Sequence, residues 1–220
     1  MIIKDLLIAC KETLLMTFTT SLFAYLIGIP LGIILNITSK NGICKNKVIN
    51  TILGFIINVL RSIPCLLIIV ISIPIVRKIV GIGTGEWYTL VIPLIVASFP
   101  FISRLVEQSL NEVDKDVIEA ATSLGASKFQ IIYRVLLVEA KPSIISGIAV
   151  ATISILGYTS FAYDFSAGGL IAKAYAYYRG APLDIYNWKV WIIVLLIIII
   201  VQIIQELGLL LARKIDKRRK

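Results

Sequence analysis

The chain has 220 residues, 58% of them hydrophobic, and a mean hydropathy of +0.93. Soluble domains run near ~45–50% apolar, so this surface cannot be hidden in one water-soluble core and the chain reads as an integral membrane protein. The net charge of +9 comes with no histidine, which excludes His-based acid–base catalysis and the usual zinc and haem ligand sets. Basic loops facing anionic lipid account for that charge without nucleic acid.

Leu7-Ile8-Ala9-Cys10 faintly resembles a lipoprotein cleavage box, but the apolar run before Cys10 is only about five residues, too short for an export signal. The first predicted span covers residues 14–38. Within it Gly28 and Gly32 lie four apart around Pro30, a spacing that lets another helix approach closely, with a kink near the proline. A second span is predicted over 48–76, where Asn58, Arg61 and Ser62 recur at spacings of three and four before Pro64. An intramembrane arginine is costly and faces a bundle interior or a wet cavity. Arg61 therefore reads either as a partner for a substrate carboxylate or for Asp164, or as half of a fixed structural ion pair. A third span is predicted over 87–106.

The loop 107–141 is the long charged segment between spans. In it Val113, Val117, Ala120, Ala121 and Leu124 form one apolar stripe at helical spacing. Asp114 and Asp116 suit the helix start, Gly125 suits its stop, and Ser127 with Gln130 makes a capping-box pattern that begins a second helix towards Leu137. The small Ala120 and Ala121 let another protein approach the backbone, while Glu119 stays available for a polar contact. The fourth span is predicted over 142–161 and the last over 190–212. Gln202, Gln205 and Glu206 on the last are expected to pair with neighbouring helices.

Charge sets the orientation. With the amino terminus outside, the segments 39–47, 104–141 and 213–220 are cytoplasmic and hold 14 of the 22 Lys and Arg. Trp87, Tyr88, Tyr186, Trp188 and Trp191 then gather at the outer interface. Cys10, Cys44 and Cys65 are unpaired by any motif, so neither a disulfide frame nor a metal site is suggested, and no cofactor is called for. No phosphate-binding Gly-x-x-x-x-Gly-Lys-[Ser/Thr] loop occurs, so energy must come from a partner or a gradient. The residues alone leave a channel or secondary transporter, with Arg61 and Asp164 as its polar pathway, as an alternative.

Glu119-Ala120-Ala121, three residues, Gly125, then nine residues to Val135-Leu136-Leu137-Val138 resembles the coupling signature of ABC-importer permeases. The family's Ile and Pro are replaced by Val135 and Val138. Asn58 to Pro64, Val91-Ile92-Pro93-Leu94, Phe99-Pro100-Phe101-Ile102, Gly157-Tyr158 and Ala167-Gly168-Gly169-Leu170 are similar to methionine-import permeases, a likeness running from about Glu12 to Ala212. The resemblance implies a single transmembrane permease domain, residues 1–220, all-α, with five transmembrane helices and a short cytoplasmic coupling helix between the third and fourth. It implies a multi-pass protein of the bacterial cell membrane, working as a homodimer with cytoplasmic ABC ATPase subunits and an extracytoplasmic substrate-binding protein. Glu119, Ala120, Ala121 and Gly125 then meet the ATPase, and Asn58, Arg61, Ser62, Tyr158 and Asp164 are candidates for the translocation path. One segment departs: the family's glycine-rich run before Ala-Gly-Gly-Leu reads Phe161-Ala162-Tyr163-Asp164-Phe165-Ser166, and a usual glycine is Ile171. Asp164 there reads either as a path residue favouring zwitterionic or cationic amino acids, or as a headgroup-level acid paired with Lys173 or Arg179.

Overall fold

The computed structural model describes residues 2–180 and 188–216, and every regular element among them is helical. Tyr186 and the basic tail beyond Asp216 fall outside the described residues. The first helix, α1, runs over Ile2–Thr38, about 55 Å at 1.5 Å per residue and so longer than a hydrocarbon core of ~30 Å. The predicted span 14–38 is its later part. The earlier turns carry Lys4, Asp5, Lys11 and Glu12, and nothing in them breaks a helix before Gly28.

The predicted second span is interrupted. Helix α2 covers Lys47–Ser62 and α3 covers Cys65–Val80, bent at the intervening break. Pro64 has no N–H to donate and biases Ile63 away from helical backbone, so the ladder stops although the apolar run continues. A 3₁₀ turn over Trp87–Leu90 leads into α4, Val91–Asn111. Helix α5 is Lys115–Ser123. A single turn, α6 (Lys128–Gln130), passes into a π-helical segment, Ile131–Leu136, and then into α7, Leu137–Tyr158. The second helix predicted to begin at Ser127 therefore joins the fourth span. Helix α8, Gly169–Gly180, was not predicted; α9 covers Trp188–Ile215. Among the described residues four stretches are long and apolar enough to cross a membrane, or five when the bent α2–α3 pair counts as one span.

The chain groups into two compact units. In one (1–24, 63–98 and 151–205), Met16, Ile69, Leu90, Leu94, Ala162 and Ala167 form a buried cluster, with a second around Leu6, Ala9, Leu170 and Ile193. Leu170, Ala174 and Tyr177 of α8 recur at spacings of four and three and pack on that second cluster. The α8 amino terminus is held from far away: Gly169 N–H donates to Glu12 Oε2 (2.8 Å) and Leu170 N–H to Thr13 Oγ1 (2.8 Å).

The other unit comprises 25–62, 99–150 and 206–220. Here the glycine pair on α1 does what its spacing predicts. A Cβ at Gly28 would lie 2.7 Å from Ile102 Cγ2, and one at Gly32 would lie 2.5 Å from the Ser103 carbonyl, so α1 and α4 touch backbone to backbone. Side-chain bonds extend this packing: Asn36 Nδ2 donates to Asn111 Oδ1 (2.8 Å), Tyr25 Oη to the Ile148 carbonyl (2.6 Å), and Ser143 Oγ to Glu112 Oε2 (2.9 Å).

Candidate functional site

The segment 113–137 is built by its own caps. Asp114 takes the N-cap position of α5 and its carboxylate accepts the Asp116 N–H at 3.0 Å. At the other end Gly125 sits at φ +80°, Ala126 N–H donates to the Ala121 carbonyl (3.1 Å) and Gly125 N–H to the Thr122 carbonyl (3.0 Å). That pair of bonds is a Schellman closure, which needs a left-handed residue and explains the glycine. The predicted capping box is present: Ser127 N–H donates to Gln130 Oε1 (2.8 Å) and Gln130 N–H to Ser127 Oγ (3.3 Å). Two helices are thus joined by a rigid turn with its polar backbone groups satisfied locally.

The predicted stripe divides. Val113 is buried, whereas Val117, Ala120 and Leu124 are exposed, Ala121 is half-buried, and α5 contains no buried residue. Leu124 at the tip is 88% exposed, Phe129 is 76% and Tyr133 is 64%, the two rings stacking at 6.3 Å between centroids. Leu124 stood in the stripe, but Phe129 and Tyr133 were not singled out by sequence; their spacing of four next to the capping box is the signal that would have found them. Glu119 is exposed and lines a cavity of about 590 Å³ with Thr122, Lys45, Lys115 and Lys128. The arrangement offers an apolar knob, an aromatic pair and a single carboxylate among the lysines of that cavity.

The candidate path residues fall into both units. Asn58, Arg61 and Ser62 lie on the last turns of α2, all exposed. Asn58 Oδ1 accepts from Arg104 Nη2 at 2.9 Å, which holds the amide towards α4. Arg104 also donates from Nη2 to the Gly54 carbonyl (3.2 Å) and from Nη1 to Glu107 Oε2 (2.6 Å). A structural ion pair is therefore present at Arg104, a residue that the sequence placed only at the edge of a loop. Ser62 Oγ turns back to the Asn58 carbonyl (2.8 Å). Arg61 makes no ion pair among the described residues.

In the other unit, Tyr158 ends α7 half-buried against the Met16–Leu94 cluster. Asp164 is exposed, and its expected partners are engaged elsewhere: Lys173 Nζ lies 3.5 Å from Asp5 Oδ2, and Arg179 sits 5.0 Å over the Tyr163 ring. A headgroup-level pairing of Asp164 with either is therefore replaced by these contacts. Gln202, Gln205 and Glu206 on α9 are likewise exposed rather than packed against neighbouring helices. Among the described residues no cluster of acids and cysteines could hold a metal.

The pattern of the family described as binding-protein-dependent transport system inner membrane component matches residues 28–217. The chain is 38% identical over 215 residues to a Vibrio cholerae protein called "Probable D-methionine transport system permease protein MetI", covering 97% of this chain and 93% of that one. It is 41% identical over 186 residues to the Bacillus subtilis "Methionine import system permease protein MetP", covering 84% and 82%. A solved structure described as inward facing conformations of the MetNI methionine ABC transporter superposes with a TM-score of 0.90 at 32% identity, over 98% of both chains. An amino acid ABC transporter superposes at 0.77 with 19% identity, a likeness of fold alone.

Proposed function

The chain belongs to the family of binding-protein-dependent transport system inner membrane components, and from that premise we propose that it is the permease subunit of an ATP-driven ABC importer that moves methionine by alternating access. In this reading it forms one transmembrane permease domain of five spans, the bent α2–α3 pair counting as one, with its amino terminus outside. It is a transport subunit: ATP is hydrolysed on a separate ATPase chain, and a substrate-binding protein delivers the amino acid. The observation that carries the reading is α5 with its Schellman turn, an element with no buried residue and with Leu124 exposed at its tip. Such a locally capped helix leaves Val117, Ala120 and Leu124 uncovered until a partner supplies a groove. Closure of an ATPase dimer would press on it and, through the π-helical segment into α7, re-orient the spans.

The test separates coupling from folding. A Cβ at Gly125 meets nothing within 4 Å, so a side chain there brings backbone strain and no clash. Gly125→Val places a β-branched residue in left-handed backbone, costing roughly 1–2 kcal/mol locally. Glu119→Lys reverses the one carboxylate among the lysines of that cavity. Both variants are expected to stay folded in the membrane and to lose ATP-driven methionine uptake. Normal ATPase binding together with normal uptake in both would overturn the assignment, and uptake without any ATPase would return the channel reading.

A further inference from the structure

We propose that the loop joining α1 to α2 is a docking site for the headgroup of an anionic phospholipid. Helix α1 stops at Thr38 and α2 starts at Lys47, so the loop lies at the ends of two apolar helices, the level of a bilayer's headgroups. It is a built structure rather than a slack connection. Cys44 N–H donates to the Ile37 carbonyl (2.8 Å) and Asn46 N–H to the Thr38 carbonyl (3.0 Å). Gly42 passes so close to the Ile37 carbonyl that no Cβ fits there. Asn50 Nδ2 donates to the Leu35 carbonyl (2.7 Å) and to Thr38 Oγ1 (3.2 Å), and Asn46 Oδ1 accepts the Ile49 N–H (3.1 Å).

These bonds border a cavity of about 500 Å³ whose lining includes Lys40, Lys45 and Lys47 and no acid; Lys45 also lines the adjoining cavity with Glu119, so Lys40 and Lys47 are the two that face no carboxylate in either. The sequence holds no Asp or Glu anywhere between Glu12 and Glu86, and none of the three lysines makes an ion pair among the described residues. Three ammonium groups around one cavity repel each other, and the positive end of α2 adds to the same field. An anion there removes the repulsion. From the cavity, exposed Val48, Ile49, Ile52 and Phe55 continue along α2 as an apolar strip. A soluble phosphate would leave that strip unused, whereas a phospholipid covers the lysines with its phosphate and the strip with its acyl chains. The inference goes beyond the transport reading and needs only that the chain spans a membrane.

The whole transporter, purified in mild detergent, is titrated with dioleoylphosphatidylglycerol and with dioleoylphosphatidylcholine, and bound lipid is counted by native mass spectrometry. Each lysine near an anionic headgroup contributes about 1 kcal/mol, which is about fivefold in affinity. Lys40→Gln is therefore expected to weaken phosphatidylglycerol binding about fivefold and the Lys40→Gln/Lys45→Gln/Lys47→Gln variant by more than tenfold, with phosphatidylcholine unaffected. A control of equal charge, Lys4→Gln/Lys141→Gln/Lys214→Gln, is expected to bind as the parent does. Lys40 has no bond to lose, so its single variant reports even if the triple one does not fold. Equal binding in all variants, an equal fall in the control, or displacement of the lipid by inorganic phosphate would each overturn the proposal. So would unchanged lipid binding with lost ATPase co-purification, which gives the lysines to a protein partner. Because binding is read rather than uptake, a negative result leaves the transport reading standing.

Discussion

Ser166 has φ +54°, a left-handed backbone that favours glycine, just before Ala167-Gly168-Gly169. The conformation costs a non-glycine residue roughly 1–2 kcal/mol, part of which a glycine would return as unfolded-state entropy. Ser166→Gly is therefore expected to stabilise the purified protein by up to about 1 kcal/mol, and a lower midpoint of thermal unfolding in detergent would refute it. Two residues on, the Glu12 carboxylate fills the space that a Gly168 side chain would need. Gly168→Ala is expected to push Glu12 off the Gly169 N–H and uncap α8, a loss of about 1–2 kcal/mol measurable in the same assay. The two arginines separate by readout. Arg104→Met leaves Glu107 and the amide of Asn58 without their donor, so a drop of about 1–2 kcal/mol in stability is expected for this partly exposed cluster. Arg61→Met removes no ion pair among the described residues, and it is expected to keep the melting point and lower methionine uptake; an unchanged uptake would strip Arg61 of any part in the path.

Helices announce themselves unevenly. The α1–α4 contact was legible because two glycines four apart in an apolar run have little use besides close packing. Gly32→Leu drives a branched side chain into Ser103 and Val106, and it is expected to cost about 1–3 kcal/mol or abolish the folded protein altogether, as followed by monodispersity in detergent. The caps of α5 and α6 were equally legible, since Asp114, Gly125, Ser127 and Gln130 act within four residues of themselves. The break at Pro64 was not, although the proline stood in view: hydropathy averages over a window and is blind to one missing N–H. Helix α8 escaped for another reason. Its start is capped by Glu12 and Thr13, 157 residues away, and no local pattern carries a bond of that length. Arg104 hid likewise, because its role depends on Gly54 and Asn58 meeting it from another helix.

For the molecule as a whole, the proposed orientation rests on the basic segments, and one cysteine tests it. Cys44 lies in the α1–α2 loop and the other cysteines are Cys10 and Cys65. With those two changed to Ser, a membrane-impermeant maleimide is expected to label Cys44 in inverted vesicles and not in intact spheroplasts; labelling from outside would reverse the topology. The exposure of α5 has a further consequence, for the life of the subunit before it is assembled. Leu124 at the end of α5, and Phe129 and Tyr133 in the turn and π-helical segment that follow it, then stand in water, and α5 has no buried residue of its own. A nine-residue helix is too short to persist without packing, so an unpartnered subunit shows the cell a frayed, greasy segment of the kind that chaperones hold and proteases cut. On the proposed coupling role, the surface that meets the ATPase would thereby mark the orphan for disposal, and the supply of that partner would set how many copies survive.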